Sequence, residues 1–270
     1  IPNLELKLGA TALPAGNLRE LAEVSRFVAE VANLSLHAGM AYVGRSAFAH
    51  KGGMHVAAMR RHVDAYQHVD PALVGNEMRV VVSELSGRGN VFSKAEELGV
   101  TVGEGEEAAA LEEIKDAEAR GLSYEGAEAS VSLLLRRKQT GYVPPFSVLD
   151  YQAMIGRRQG VEFVEATVRI AIGDEIVHTA GDGNGPVGAL DSALRKGLTP
   201  RFPGVGHMHL ADFKVRILDG RSGTGAITRV LIDTRDERGS WSTVGASANI
   251  IEASMQALVD SIEYGIGRAP

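Results

Sequence analysis

Cysteine is missing from all 270 residues. Disulfide frameworks, thiol nucleophiles and zinc-thiolate sites are excluded together, and a reducing cytoplasm is the compartment that best suits such a chain. No run of about 18 apolar residues occurs either, so no helical membrane span is expected. Aromatic residues are scarce at 5%, and no basic stripe interleaves with them. With 28 Lys and Arg against 34 Asp and Glu, the electrostatic footprint of a nucleic-acid binder is lacking. The opening IPNLELKLGA has no Met, no basic n-region and no hydrophobic h-region. It is not a signal peptide, and the expectation is that an N-terminal portion is absent.

What is present is enough for a sizeable core. Hydrophobic residues make up 44% and charged residues 23%, ordinary values for a globular protein, and the length favours two or three units. Residues 1–13 read as the end of an upstream element, closed by Gly9. Asn17 and Glu20 form a capping-box pattern, and Leu18, Leu21, Val24, Val28 and Val31 fall at helical spacing. A helix over 18–33 follows, whose apolar face must dock on a neighbour. Between 35 and 53 periodicity lapses. A short helix is expected near Met54, an extended piece over 79–82, and helices over 91–98, 104–120 and 124–139. Arg136, Arg137 and Lys138 suit the negative end of the last one. Pro144-Pro145 is the clearest boundary, so 14–143 reads as helical linker and 144–270 as a further domain.

Beyond that boundary the pattern alternates. Strands are expected over 146–155, 163–172 and 175–179, then a helix over 187–197. The order returns as strands over 210–218, 226–233 and 240–244 and a helix over 249–264. A constant offset matches Thr179 with Thr243, Gly181 with Gly245, Ala189 with Ala253 and Ala193 with Ala257. This spacing predicts an internal duplication of a β-β-β-α unit, two copies of which can cover each other's bare sheet faces. The fold class is therefore α+β, a helical linker followed by a duplicated module better suited to sensing a small molecule or to dimerisation than to catalysis.

The stretch Phe48–Asn90 has the density of Gly, His, Tyr and Asp-Pro expected of a site, with Ser83, Ser86 and Gly87 near its end. His55 follows the Gly52-Gly53 pair, which permits positive φ and a close backbone approach. An imidazole with a pKa of ~6.5 can move protons at cellular pH. Tyr66 could hold or donate a proton to an oxyanion. On residues alone, a structural role stands beside the catalytic one for both. His50 and His55, five apart, do not share a helix face, which argues against a two-histidine metal site. The turns at Gly181, Gly183 and Gly185 and at Gly245, Ala246 and Ser247 lack the P-loop Lys-Ser/Thr. They read as helix starts whose free amides can face a carboxylate. The acidic run Glu104–Glu107 reads as a solvated helix start, and Asp219–Gly225 as a mobile hairpin.

Three segments carry a resemblance: AFAHKGGMH at 47–55, YQHVDPALVGN at 66–76 and VSELSGRGN at 82–90. They resemble the citramalate synthase branch of the 2-isopropylmalate synthase family, and GASANIIEAS at 245–254 resembles that family's C-terminal allosteric domain. The resemblance implies a parent enzyme, a cytoplasmic homodimeric acyltransferase, whose N-terminal (β/α)₈ barrel holds a divalent metal and joins acetyl-CoA to a 2-oxo acid. For this branch the acid is pyruvate, the product (R)-citramalate on the way to isoleucine, and a branched-chain amino acid the feedback effector. It also implies that 1–13 is the end of the barrel, that no metal is bound by this chain, and that 144–270 is the allosteric dimerisation domain. His55 and Tyr66 would reach over the partner's barrel as catalytic residues. Two alternatives stay open: a 2-isopropylmalate synthase using 2-oxoisovalerate, or, for the chain by itself, an effector-binding dimerisation module without turnover. Met54 departs from the family's branched aliphatic and Ala248 from a related branch's Asp.

Overall fold

The computed structural model describes residues 1–268 apart from 33, 35, 63, 64, 82–87, 102, 104, 105 and 219. Ser83, Ser86, Gly87, Glu104 and Asp219, all singled out in the sequence, lie outside the described residues. The chain divides into two compact units, Ile1–Lys94 and Ala95–Pro270, upstream of the Pro144-Pro145 break.

The first unit contains α1 (Pro2–Leu6), α2 (Leu21–Val31), β1 (Ala49–His50), α3 (Gly53–Arg61) and β2 (Arg79–Val80). The capping-box expectation fails. Gly16, in left-handed conformation at φ 88°, is the N-cap, no side chain caps it, and Asn17–Glu20 forms a 3-10 turn ahead of α2. Asn17 is thus already a helical residue and cannot act as the cap. The amphipathic reading of α2 holds in its buried side, where Leu18 and Ala22 are enclosed. Its apolar stripe of Val24, Phe27, Val28 and Val31 stays exposed.

Much of the Phe48–Asn90 chemistry is local bracing. Asp70 Oδ1 accepts from the Ala72 amide at 3.0 Å and caps the 3-10 turn Pro71–Val74. Gly75 sits at φ 70°, and a Cβ there would lie 2.1 Å from the Arg19 carbonyl, so the close crossing requires glycine. Asn76 Nδ2 donates to the carbonyls of Tyr42 and Gly44 at 2.9 and 3.0 Å, fixing the preceding loop.

The helix α4 (Arg88–Glu97) follows, closed by Gly99 at φ 64°. The second unit then adds α5 (Glu106–Ala119), with Ala110 and Ile114 fully buried, and α6 (Glu128–Lys138), in which Ala129–Leu135 are all buried. Within the acidic run, Glu106 Oε2 accepts from the Gly103 amide at 2.7 Å.

The strands β3 (Ser147–Arg158), β4 (Val161–Ile172) and β5 (Glu175–Asp182) form an antiparallel sheet and lead into α7 (Pro186–Leu198). A second antiparallel sheet of β6 (His209–Ile217), β7 (Thr228–Asp236) and β8 (Gly239–Ser247) leads into α8 (Ile250–Ile266). Segment 220–225, between β6 and β7, forms 3-10 turns. Each sheet turns one face inward. Val168, Ile170, Val230 and Ile232 meet Leu190, Leu194, Leu258 and Ile262, all at most 1% exposed, in a single core. At about 25 cal/mol per Å² of apolar surface removed from water, this burial is the main force holding the unit together.

Two strands run further than the sequence predicts. The ladder continues through Ala166↔Gly181 and through Val230↔Gly245, Arg229↔Ala246 and Thr228↔Ser247. Gly181, Gly245, Ala246 and Ser247 are therefore strand residues, not turn residues. The two glycines read as turn signals because the sequence does not reveal a helix crossing above them. A Cβ at Gly181 would lie 2.5 Å from the Ala193 nitrogen, and one at Gly245 would lie 2.0 Å from the Ala253 carbonyl. Beside these contacts Thr179 Oγ1 donates to the Ala193 carbonyl at 2.8 Å and Thr243 Oγ1 to the Ala257 carbonyl at 2.7 Å. Both bonds tie a strand to the helix that follows it.

Candidate functional site

His55 and Tyr66, eleven residues apart, come together. Their rings stack with centroids 4.1 Å apart and planes inclined by 25°. Both are exposed, Tyr66 to 51%. His55 lies in the first turn of α3, whose Val56 and Met59 are 2% and 4% exposed and anchor the helix, while Met54 on the other side is 84% exposed. The Gly52-Gly53 pair does not use positive φ as predicted. Gly52 is the extended N-cap of α3 at φ −75°, and a Cβ on it would make ordinary contact with the His55 ring at 3.7 Å. Backbone economy at a helix start explains this: an extended N-cap already lets the first turn form.

His50 was not singled out as a functional candidate. It lies in β1, which pairs in parallel with β2, and the Val81 amide donates to its carbonyl at 3.0 Å. Its Nε2 is buried without a hydrogen-bond partner. Burial first, and then the nearby charge of His55, hold its pKa below the ordinary histidine value. A neutral imidazole thus stands behind the exposed pair. Asn90 Nδ2 donates to the Lys51 carbonyl at 3.1 Å and holds the start of α4 on the same segment. Among the described residues, no group of three or more His, Cys, Asp or Glu side chains could hold a metal ion.

The two helix starts differ. At α8 the amides are occupied from within: Asn249 Oδ1 accepts from Ile251 at 2.9 Å, Ser247 Oγ from Asn249 at 3.1 Å, and Gln256 Oε1 from Ala246 at 3.1 Å. At α7 the N-cap is Gly185, no side chain caps it, and Pro186 supplies no amide. Gly183 lies against the first turn, where a Cβ would come 2.5 Å from the Ala189 nitrogen. The α7 start is the more open of the two to an anionic group.

A charged network missed by the sequence reading joins α6 to α8. Arg137 Nε donates to Glu263 Oε1 at 3.1 Å and Nη2 to Asp260 Oδ1 at 2.8 Å. Tyr142 Oη donates to Glu263 Oε1 at 2.7 Å. Ser130 Oγ donates to Asp260 Oδ2 at 2.9 Å and accepts from the Val244 amide at 3.1 Å. Burial pushes the Asp260 carboxyl up despite the neighbouring Arg137. Burial opposes the charge on Arg137, but the bonds and charges of Glu263 and Asp260 outweigh it and raise its pKa. Asp260 and Glu263 stand i,i+3 on one helix face, a signal present in the sequence. Their partners, more than 120 residues away, are not.

Comparison with known proteins fits this arrangement. The model of the LeuA allosteric (dimerisation) domain matches residues 125–266, and that of the homocitrate synthase post-HMGL domain-like region matches 42–121. The chain is 46% identical over 273 residues to an (R)-citramalate synthase of Geobacter sulfurreducens, covering 100% of this chain and 52% of that protein. It is 46% identical over 271 residues to one of Streptomyces coelicolor, covering 98% and 51% respectively. A 2-isopropylmalate synthase of Shewanella amazonensis is 27% identical over 249 residues, covering 90% of this chain and 45% of that protein. The chain spans about half the length of the curated relatives it matches. No helix among the described residues is long and apolar enough to cross a membrane. Its second unit carries the family's two sheets and helices almost end to end, and the chain belongs to the LeuA allosteric (dimerisation) domain family.

Proposed function

We propose that this chain is the linker and regulatory portion of an (R)-citramalate synthase, an acyltransferase that joins acetyl-CoA to pyruvate on the way to isoleucine. The observation that carries this reading is the His55–Tyr66 stack at 4.1 Å, which presents an imidazole and a phenol side by side on an exposed face. A Claisen condensation needs a base for the acetyl methyl, donors for the developing enolate and alkoxide, and an activated water for the thioester. This pair has both kinds of group. The higher identity to (R)-citramalate synthases than to a 2-isopropylmalate synthase supports pyruvate over 2-oxoisovalerate as acceptor. The metal, both substrates and the condensation itself are assigned to a barrel outside this chain, so the chain alone is without turnover.

The residues from 144 onward serve as the allosteric domain of a cytoplasmic homodimer, with 14–143 as the helical linker and 1–13 as the end of the barrel. The two β-β-β-α runs are copies of one unit, as the matching threonine-to-carbonyl bonds of Thr179 and Thr243 support. The effector is a branched-chain amino acid, with Gly181, Gly183 and Gly185 nearest its carboxylate at the open α7 start and Gly245, Ala246 and Ser247 at the opposite strand end. Calorimetric titration of the chain with isoleucine and leucine tests this. Saturable heat with isoleucine is expected, and no heat with either amino acid overturns the effector assignment.

A further inference from the structure

We propose that a cleft of about 960 Å³ in the second unit, between α5, α6, the start of β3 and α8, binds a small molecule carrying a protonated amine on an apolar body. Neither the effector reading nor the catalytic one requires this site. Its volume lies in the range of small-molecule sites, roughly 300–1,000 Å³. Leu134, Phe146, Met255 and Val259 supply apolar walls.

The clearest sign of a missing partner is Tyr124. It lines the cleft and is only 7% exposed, yet its hydroxyl has no hydrogen-bond partner among the described residues. Buried tyrosines normally pair that group. Its charged neighbours are Asp260, Glu113, Arg120 and Arg137, all of which line the same cleft.

Charge then selects the ligand. Five carboxylates line the cleft against two arginines. Three of the five are engaged away from the floor: Glu113 by Lys138, Asp150 by Arg169, and Glu252 by the Tyr151 hydroxyl. Asp260 and Glu263 remain on the floor and share the single guanidinium of Arg137. Ionised carboxylates accept at about four lone-pair sites, so both can take further donors. An ammonium group offers three donors and the missing positive charge, and the Tyr124 oxygen can accept one of them. A carboxylate ligand would instead face like charge.

The test uses the 270-residue chain with isopentylamine and isovalerate, which share an apolar body and carry opposite charge. The amine should bind in calorimetry and raise the melting temperature, and the acid should do neither. Tyr124→Phe should weaken amine binding about tenfold, the loss of one hydrogen bond to a charged group. The same variant without ligand should melt as the native chain does, because its hydroxyl has no internal partner to lose. Asp260→Asn should weaken the amine by more. Isovalerate binding as tightly as the amine, no binding of either, unchanged affinity in Tyr124→Phe, or a lowered melting temperature of that variant without ligand would each overturn the proposal.

Discussion

In the full-length acyltransferase, His55→Ala is expected to lower turnover by about 10²–10⁴-fold, the usual contribution of a positioned general acid or base. Isoleucine affinity should stay unchanged. The expectation rests on exposure and packing. The His55 side chain is exposed and α3 is anchored by Val56 and Met59, so the substitution removes no core contact. The only packing lost is the stack on Tyr66, and aromatic pairs contribute about 0.5–1.5 kcal/mol beyond burial. Tyr66→Phe separates stacking from chemistry, since it keeps the ring and removes the hydroxyl. Steady-state release of CoA together with an isoleucine inhibition curve measures both effects. Parallel loss of turnover and isoleucine affinity would make His55 structural.

Arg137→Ala should be the most damaging single change to the second unit. Glu263 is 3% exposed and Asp260 17%, and the substitution leaves both carboxylates facing each other without a cation. Breaking a buried pair by removing one partner costs about 3–5 kcal/mol; here the guanidinium is partly in solvent, so about 2–4 kcal/mol is expected. For a unit of this size that lowers the melting temperature by roughly 5–10 °C. Arg137→Lys keeps the charge but loses the fork that serves two carboxylates, and should fall between the two. Differential scanning calorimetry of the three proteins provides the check. If Arg137→Ala melts with the native chain, the network is not a clamp between α6 and α8.

What the sequence revealed, and what it hid, follows the range of the interactions involved. Alternating apolar residues located all six strands of the second unit and their helices, because periodicity is local. Strand ends were less legible. Gly181 and Gly245 look like turn residues until the helices crossing above them are seen, and only then does their lack of a side chain become a packing requirement. Asn17 and Glu20 carried the right residue types for a capping box, but Gly16 turns the chain one residue earlier. His55 and Tyr66 were legible as candidates from their motifs, and their stacking was not. The Arg137 network was hidden, since a basic helix end is satisfied equally by solvent, by the helix dipole or by Asp260 and Glu263 more than 120 residues later.

Acceptor preference in the full-length enzyme is the measurement that bears most directly on the proposed function. Release of CoA from acetyl-CoA should be supported by pyruvate far better than by 2-oxoisovalerate, and isoleucine should suppress it. Preference for 2-oxoisovalerate, or CoA release that isoleucine does not touch, would contradict the assignment.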